Sequence, residues 1–451
     1  FKFEMADKKL VDFEPGTLPP IRPLEYTLID TTLYTRPSVE KPVPEDSVKE
    51  VPYKPKFKLD YISNTAGVGV STGRFNSTNM SGSVSMIFSD IVGNNQLYSV
   101  LALNGEIYDF GGQVAYINQK RKFKWGVNVS HIPYRTGNMF LRQDTLTFTE
   151  DEEEYELPVT DLVLDYIRMF EDNISLFSYY PLSQTRRLEA GVTASWYYYR
   201  IDRYHNYFDD FGFSLGGRRE RRPAPDGNSY QKIDLAYVQD NSYFGMTSPM
   251  RGSRGRYQVE KYFGAVNFFT ALADYRKYYF VNPFTFAFRL YHYGRYGSNS
   301  NTDAVSPIYL GYPWLVRGYE DISFYNNLSS GDVGINSLNY SHLSGSRILV
   351  GNAEFRLPVS GVEQLALIRS NYFLIDFNLF FDAGMAWDKG DFPKITWGEA
   401  SFDQRVPVFS AGASLRINLL GYVVLEPYFA VPFQNGGWEN GVFGLSFVPG
   451  W

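Results

Sequence analysis

Along most of the chain apolar and polar residues alternate with a period of two, in runs of about ten residues divided by Gly, Asn, Asp and Ser. In 188–198, Leu188, Ala190, Val192, Ala194 and Trp196 share one face, against Glu189, Gly191, Thr193 and Ser195. In 348–357, Leu349, Ala353, Phe355 and Leu357 oppose Asn352, Glu354 and Arg356. In 372–383, Phe373, Ile375, Phe377, Leu379 and Phe381 oppose Asp376, Asn378 and Asp382. In 408–419, Phe409, Ala411, Ala413, Leu415 and Ile417 oppose Ser410, Ser414, Arg416 and Asn418. A soluble sandwich also alternates, with its polar face in water. Here the apolar face is so consistently Phe, Leu and Ile, over so many strands, that lipid is the solvent it fits.

Read this way, the sequence predicts strands near 59–72, 81–90, 95–104, 108–118, 122–131, 170–182, 185–203, 229–240, 253–263, 266–281, 283–296, 346–358, 371–387, 406–419, 421–433 and 440–449. The expected fold is all-β: a transmembrane antiparallel β-barrel of sixteen strands over residues 57–451. Short turns fall near Asp90–Gln96, Asn118–Lys122 and Leu182–Arg186, and long surface loops near 132–169, 204–228 and 297–345. An even strand count puts both termini on one side, expected to be the periplasm. Residues 1–56 break the pattern, because Pro15, Pro19, Pro20, Pro23, Pro37, Pro42, Pro44, Pro52 and Pro55 favour extended, solvated backbone. They read as a periplasmic arm or linker, and an extended arm can add itself to a partner's sheet edge or groove.

Composition sharpens this picture. The chain has no run of eighteen apolar residues, so no membrane-spanning helix is expected, yet 18% of it is Phe, Tyr or Trp, which suits aromatic girdles at two membrane interfaces. With no Cys, disulfides and thiolate metal sites are excluded. A net charge of -6 carries no basic bias towards nucleic acid. His131, His205, His292 and His342 show neither metal-ligand spacing nor a neighbouring nucleophile, so no enzyme, metal or cofactor is expected. His292, at a strand end among tyrosines, reads as a girdle residue. The acidic run Glu150–Glu154 reads as a solvated loop face, with divalent cations as the other reading. Arg218, Arg219, Arg221 and Arg222, with Arg251, Arg254 and Arg256, either touch lipid phosphate or keep a loop soluble.

Between two aromatic-rich segments lies Tyr312-Pro-Trp-Leu-Val-Arg-Gly-Tyr319. Val316, Arg317, Gly318 and Tyr319 resemble the VRG-aromatic loop of the outer-membrane assembly and translocation superfamily that includes BamA and TamA. The order that follows is similar too: Asn352-Ala-Glu-Phe355, Phe380-Phe-Asp-Ala-Gly-Met-Ala-Trp387, Ser410–Arg416, then Leu420-Gly421 leading to Pro427–Phe433. The resemblance implies a sixteen-stranded barrel in the bacterial outer membrane, with one surface loop folded into the lumen. It also implies that Arg317 meets acidic wall residues, whose matching positions are Glu354 and Asp382.

The ending resembles the family's final strand and barrel insertion signals, with Phe443, Leu445, Phe447 and Trp451 on one face. Pro449 cannot donate a ladder hydrogen bond, and Gly67 and Gly69 weaken the first strand, so a short closing seam is expected. The implied function is insertion or translocation of polypeptides across or into the outer membrane, without catalysis. The alternatives are a gated pore and a structural subunit of a larger envelope complex. Expected partners are outer-membrane lipid and lipopolysaccharide, a polypeptide client, and envelope proteins met through the arm and the barrel wall. Insertases of this superfamily carry periplasmic modules ahead of the barrel, and residues 1–56 are too few for one.

Overall fold

Among the described residues sixteen wall strands form a meander in which each pairs antiparallel with the next. In the computed structural model the described residues are 53–70, 78–103, 109–150, 153–302, 305–320, 340–370, 372–395, 405–419 and 423–446. The strands are β1 Lys58–Val70, β2 Thr78–Ser89, β3 Asn95–Leu103, β4 Phe110–Asn118, β5 Lys124–Glu150, β6 Glu153–Ser183, β7 Arg186–Phe208 and β8 Asn228–Asp240. They continue as β9 Pro249–Gly264, β10 Phe269–Val281, β11 Phe284–Tyr296, β12 Arg347–Gly361, β13 Phe373–Trp387, β14 Val408–Leu419, β15 Val423–Pro432 and β16 Val442–Ser446. This is a transmembrane antiparallel β-barrel, and all sixteen predicted segments coincide with wall strands. No helix among the described residues is long and apolar enough to cross a membrane. The predicted arm lies outside the described residues except for 53–56.

Alternation sets which face meets lipid. Leu188, Val192 and Trp196 on β7, Ile174 and Leu176 on β6, Phe288 and Leu290 on β11, and Leu379 and Phe381 on β13 are exposed large hydrophobics. Between them on the same strands, Ser195, Arg289, Asp382 and Asn378 are buried on the inner face. Short connections close one end. In the β2–β3 turn Gly93, at φ +72°, returns its N–H to the Asp90 carbonyl at 2.9 Å, while Asn95 Nδ2 donates to the Asp90 carboxylate at 2.7 Å.

Two regions expected as loops are strands instead. Residues 132–150 and 153–169 belong to β5 and β6, which stay paired from Lys124↔Tyr179 to Glu150↔Glu153 and so run far past the membrane. Residues 204–228 hold the end of β7 and a further strand, Ser214–Arg222, paired to β7 between Ile201 and Phe208. Both faces of this extension carry charge, so the apolar-polar alternation that marks a lipid-facing strand vanishes while backbone pairing continues. Residues 297–345 are the long connection between β11 and β12, and its described part turns inward. His292 on β11 stacks on Trp387 with centroids 6.0 Å apart and meets the Tyr296 hydroxyl at 2.7 Å.

Candidate functional site

The connection between β11 and β12 carries Val316-Arg317-Gly318-Tyr319 to the inner face of β12–β15. A tight turn starts it, with the N–H groups of Leu315 and Val316 both donating to the Tyr312 carbonyl, at 2.7 and 3.1 Å. Its apolar side packs on the wall: Leu310, Leu315, Val316, Tyr319 and Leu343 form one buried cluster with Ile348 and Val350 of β12, Ala386 of β13 and Val408 of β14. At this height the inward wall residues are apolar, because they face a plug and not water. Gly384, between Asp382 and Ala386, leaves the space the loop needs; a Cβ there would stand 2.7 Å from Val316 Cγ2 and 2.9 Å from Leu310 Cδ2. Gly318 adopts φ +90°, open to glycine at little cost, and a Cβ on it would meet Ala430 Cβ at 3.1 Å.

Arg317 is then driven into the wall. Its Nε and Nη2 donate to the two carboxylate oxygens of Asp382 at 2.8 and 2.9 Å, and its backbone N–H reaches the same carboxylate at 3.2 Å. Nη1 lies 3.0 Å from Glu354 and 3.4 Å from Glu426, and the guanidinium covers the Phe380 ring at 3.6 Å from its centroid. Arg416 bridges Glu354 at 3.0 Å and Glu426 at 3.1 Å, and Arg356 pairs with Glu354 at 2.8 Å. Three guanidiniums thus face three carboxylates, so the buried network is neutral. That balance is what lets ions stay charged away from water. Asn352 Nδ2 donates both to Asp382 and to the Leu315 carbonyl, each at 2.8 Å, joining ion network and loop backbone. Tyr319 fixes the other side of the loop: its hydroxyl donates to the Phe409 carbonyl at 2.8 Å, and the Tyr309 hydroxyl donates to the Tyr319 carbonyl at 2.6 Å.

From the short-turn end a second segment folds inward beneath this layer. The β8–β9 turn brings the Thr247 hydroxyl to Asp376 and the Met246 carbonyl to Asn418 Nδ2, at 2.9 Å for the latter. Arg356 donates to the Ser248 hydroxyl at 3.3 Å and the Pro249 carbonyl at 2.9 Å. The network is therefore enclosed from both ends.

Of the residues singled out in the sequence, Val316, Arg317, Gly318, Tyr319, Glu354 and Asp382 come together here. Gly67 and Gly69 lie elsewhere, on β1 opposite Ser81 and Asn79 of β2. Phe443 is on β16, exposed on the outer face, its ring 4.7 Å from that of Phe429. Phe447, Pro449 and Trp451 lie outside the described residues. Sequence reasoning did not reach Glu426, whose phase on β15 is hidden between apolar residues and Pro427. It placed Arg356 and Arg416 on the polar face without assigning them partners. The inward β8–β9 turn left no signal beyond its Gly, Ser and Pro.

No curated protein matches the chain by sequence. Among solved structures, BamA from Haemophilus ducreyi lacking POTRA domains 1–3 is similar with a TM-score of 0.49 at 11% identity, over 87% of this chain and 69% of that one. CdiB from Acinetobacter baumannii is similar with a TM-score of 0.42 at 13% identity, over 86% of this chain and 58% of that one. The Omp85 superfamily domain matches residues 92–450, which is most of the chain. The chain belongs to the Omp85 superfamily and is a barrel of the bacterial outer membrane.

Proposed function

We propose that this barrel inserts or translocates polypeptides at the outer membrane, with both termini on the periplasmic side and no catalytic step. The client strand adds to backbone groups at the seam between β1 and β16, and the Arg317 loop acts as a lock on the strands that precede the seam. The observation that carries this reading is a contrast between the two ends of the meander. Along β1 and β2 the register sets Thr65 against Ser83, Ala66 against Gly82 and Gly67 against Ser81, and the glycines of this stretch lower its strand propensity. Across β12–β15 Asp382, Glu354 and Glu426 are tied to one another through Arg317, and Glu354 and Glu426 also through Arg416. A weak first hairpin beside a locked C-terminal block is the arrangement in which a sheet edge opens for a guest strand.

The test is reconstitution of the full chain in liposomes with an unfolded barrel client, read as client protease protection and heat-modifiable mobility. Insertion accelerated over empty liposomes supports the reading, and an unchanged rate opposes it. A gated pore is the second reading, favoured by the open half of the lumen, where Gln113, Asn128, Ser130, Asn173 and Thr193 line a polar cleft of about 330 Å³. Stable single-channel conductance without client transfer would select it. Docking of envelope partners on the arm or wall, as a structural subunit, predicts neither signal.

A further inference from the structure

The inner face of β4–β8 carries two rows of neutral hydrogen-bonding side chains. Register sets Gln113 opposite Ser130, Ser130 opposite Asn173, Asn173 opposite Ser195 and Ser195 opposite Tyr230, one row across five adjacent strands. The row beside it runs from Asn128 through Ser175 and Thr193 to Lys232, and then to Tyr262 on β9. Phase makes this the lumenal face, because Val114, Val129, Ile174, Val192 and Trp196 alternate with these residues and are exposed on the lipid side. Both rows line the cleft of about 330 Å³.

The chain itself uses little of this hydrogen-bonding capacity. Gln113 Nε2 donates to Asn128 Oδ1 at 2.8 Å, and Asn173 Nδ2 donates to Ser195 Oγ at 3.0 Å. Among the described residues the hydroxyls of Ser130, Ser175 and Thr193 have no protein partner. Charge is sparse here: Lys232 is spent on Glu260 at 3.2 Å, and Glu171, one row further out, accepts from the Tyr134 hydroxyl at 3.0 Å. The rest of the lumen is built otherwise. Three guanidiniums and three carboxylates meet at β12–β15, and on β10 and β11 Asp274 holds Arg276 at 2.7 Å and Arg289 at 3.0 Å.

Tyrosines flank the neutral floor. Tyr197 and Tyr230 stack with centroids 5.4 Å apart, Tyr262 follows at 5.6 Å from Tyr230, and Tyr134 stands exposed further along β5. Five strands give the floor a width of about 19 Å, room for several linked sugar rings. A pyranose chain matches it in chemistry: its hydroxyls both donate and accept, as amides and hydroxyls of the wall do, and its C–H faces suit aromatic rings. An unfolded polypeptide matches less well, since it brings charged and large apolar side chains, and the described lining offers only Ile132 to the one and no unmatched cation to the other. We propose that this wall binds an uncharged oligosaccharide segment, laid across the strands with its rings towards the tyrosines. Chains that lack hydroxyls are rejected because the wall amides then stay unpaired.

The test is isothermal titration of the full chain in zwitterionic, sugar-free micelles. Neutral hexamers of glucose, mannose and N-acetylglucosamine are the probes, beside an anionic polyuronate hexamer and a peptide copied from an unfolded barrel strand. At least one neutral hexamer should bind about tenfold more tightly than the polyuronate and the peptide, and N128A/N173A should weaken it roughly tenfold. R187Q, on the inner face of β7 but outside the cleft, should leave binding within about twofold. Should the double variant fail to fold, Thr193→Arg carries the comparison, because its side chain fills the cleft and should remove binding. No saturable binding of any neutral hexamer, tighter binding of the polyuronate or the peptide, or full affinity in N128A/N173A or Thr193→Arg would each overturn the proposal. Client insertion is measured separately, so losing the glycan site leaves the insertase reading standing.

Discussion

Arg317 closes a two-point fork on Asp382, Nε and Nη2 each on a different carboxylate oxygen at 2.8 and 2.9 Å, across 65 residues of sequence. The pair joins the inward loop to β13, and the same guanidinium continues the contact to β12 and β15 through Glu354 and Glu426. A buried ion set of this kind is poor evidence of net stability, but removing one member strands the others.

Arg317→Ala should therefore destabilise the barrel by about 3–5 kcal/mol, because Asp382 would be left buried without its main partner and Glu354 and Glu426 would each lose one of theirs. Arg317→Lys keeps the charge but loses the fork, and should fall between the two. Urea titration in liposomes, followed on a heat-modifiability gel, measures this. Identical midpoints for wild type and Arg317→Ala would contradict it.

Gly384 offers a test that leaves every charge in place. Gly384→Ala puts a Cβ 2.7 Å from Val316 Cγ2, an overpacking expected to cost about 1–3 kcal/mol and to lift the loop off the wall. Protease access to residues 312–320 should rise while the strand signal in circular dichroism stays. Gly351→Ala meets open space and serves as the control that should change neither.

The two faces of β7 give opposite expectations. Val192→Arg places a charge in lipid and should cost about 2–4 kcal/mol near mid-membrane, whereas Thr193→Arg points into the open polar cleft and should be tolerated. Folding yield into liposomes separates them, and equal yields would mean that the lipid-facing phase is misassigned.

The protruding part of the β5–β7 extension should depend on pH. The Arg203 fork donates to Asp165 at 2.6 Å through both Nε and Nη2 and holds its carboxyl below the usual range, against the opposing effect of burial. A depressed carboxylate stabilises the fold fully above its unfolded value, near 3.9, and that contribution is lost as pH falls through the lower folded value. Proteolysis of residues 136–166 should therefore increase below about pH 4, and Asp165→Asn should flatten that dependence. A wild-type profile that does not change across this window would contradict the assignment.

The strands were legible because a lipid-facing wall imposes period two and its turns impose Gly, Asn and Asp. Glu354 and Asp382 were legible for the same reason, each a charge in the inward phase. Ile348, Val350 and Val408 point inward yet are apolar, because the loop covers them, and nothing local in the sequence distinguishes that from lipid exposure. The extension within 132–169 escaped notice because Arg142 and Asp161 on one face and Arg135 and Arg168 on the other erase the contrast between faces. Glu426 escaped because Pro427 beside it obscured the phase of β15.

The central claim is that the seam opens while a client is handled, and a reversible crosslink tests it most directly. The native chain has no Cys, so pairs such as Gly67→Cys with Phe443→Cys, and neighbouring combinations within 66–70 and 442–446, will report only on the seam. A bridge forms when the two Cα atoms come within about 7 Å. Oxidation of a crosslinked pair should abolish client insertion, and reductant should restore it. A crosslinked barrel that inserts client at the full rate would contradict the account.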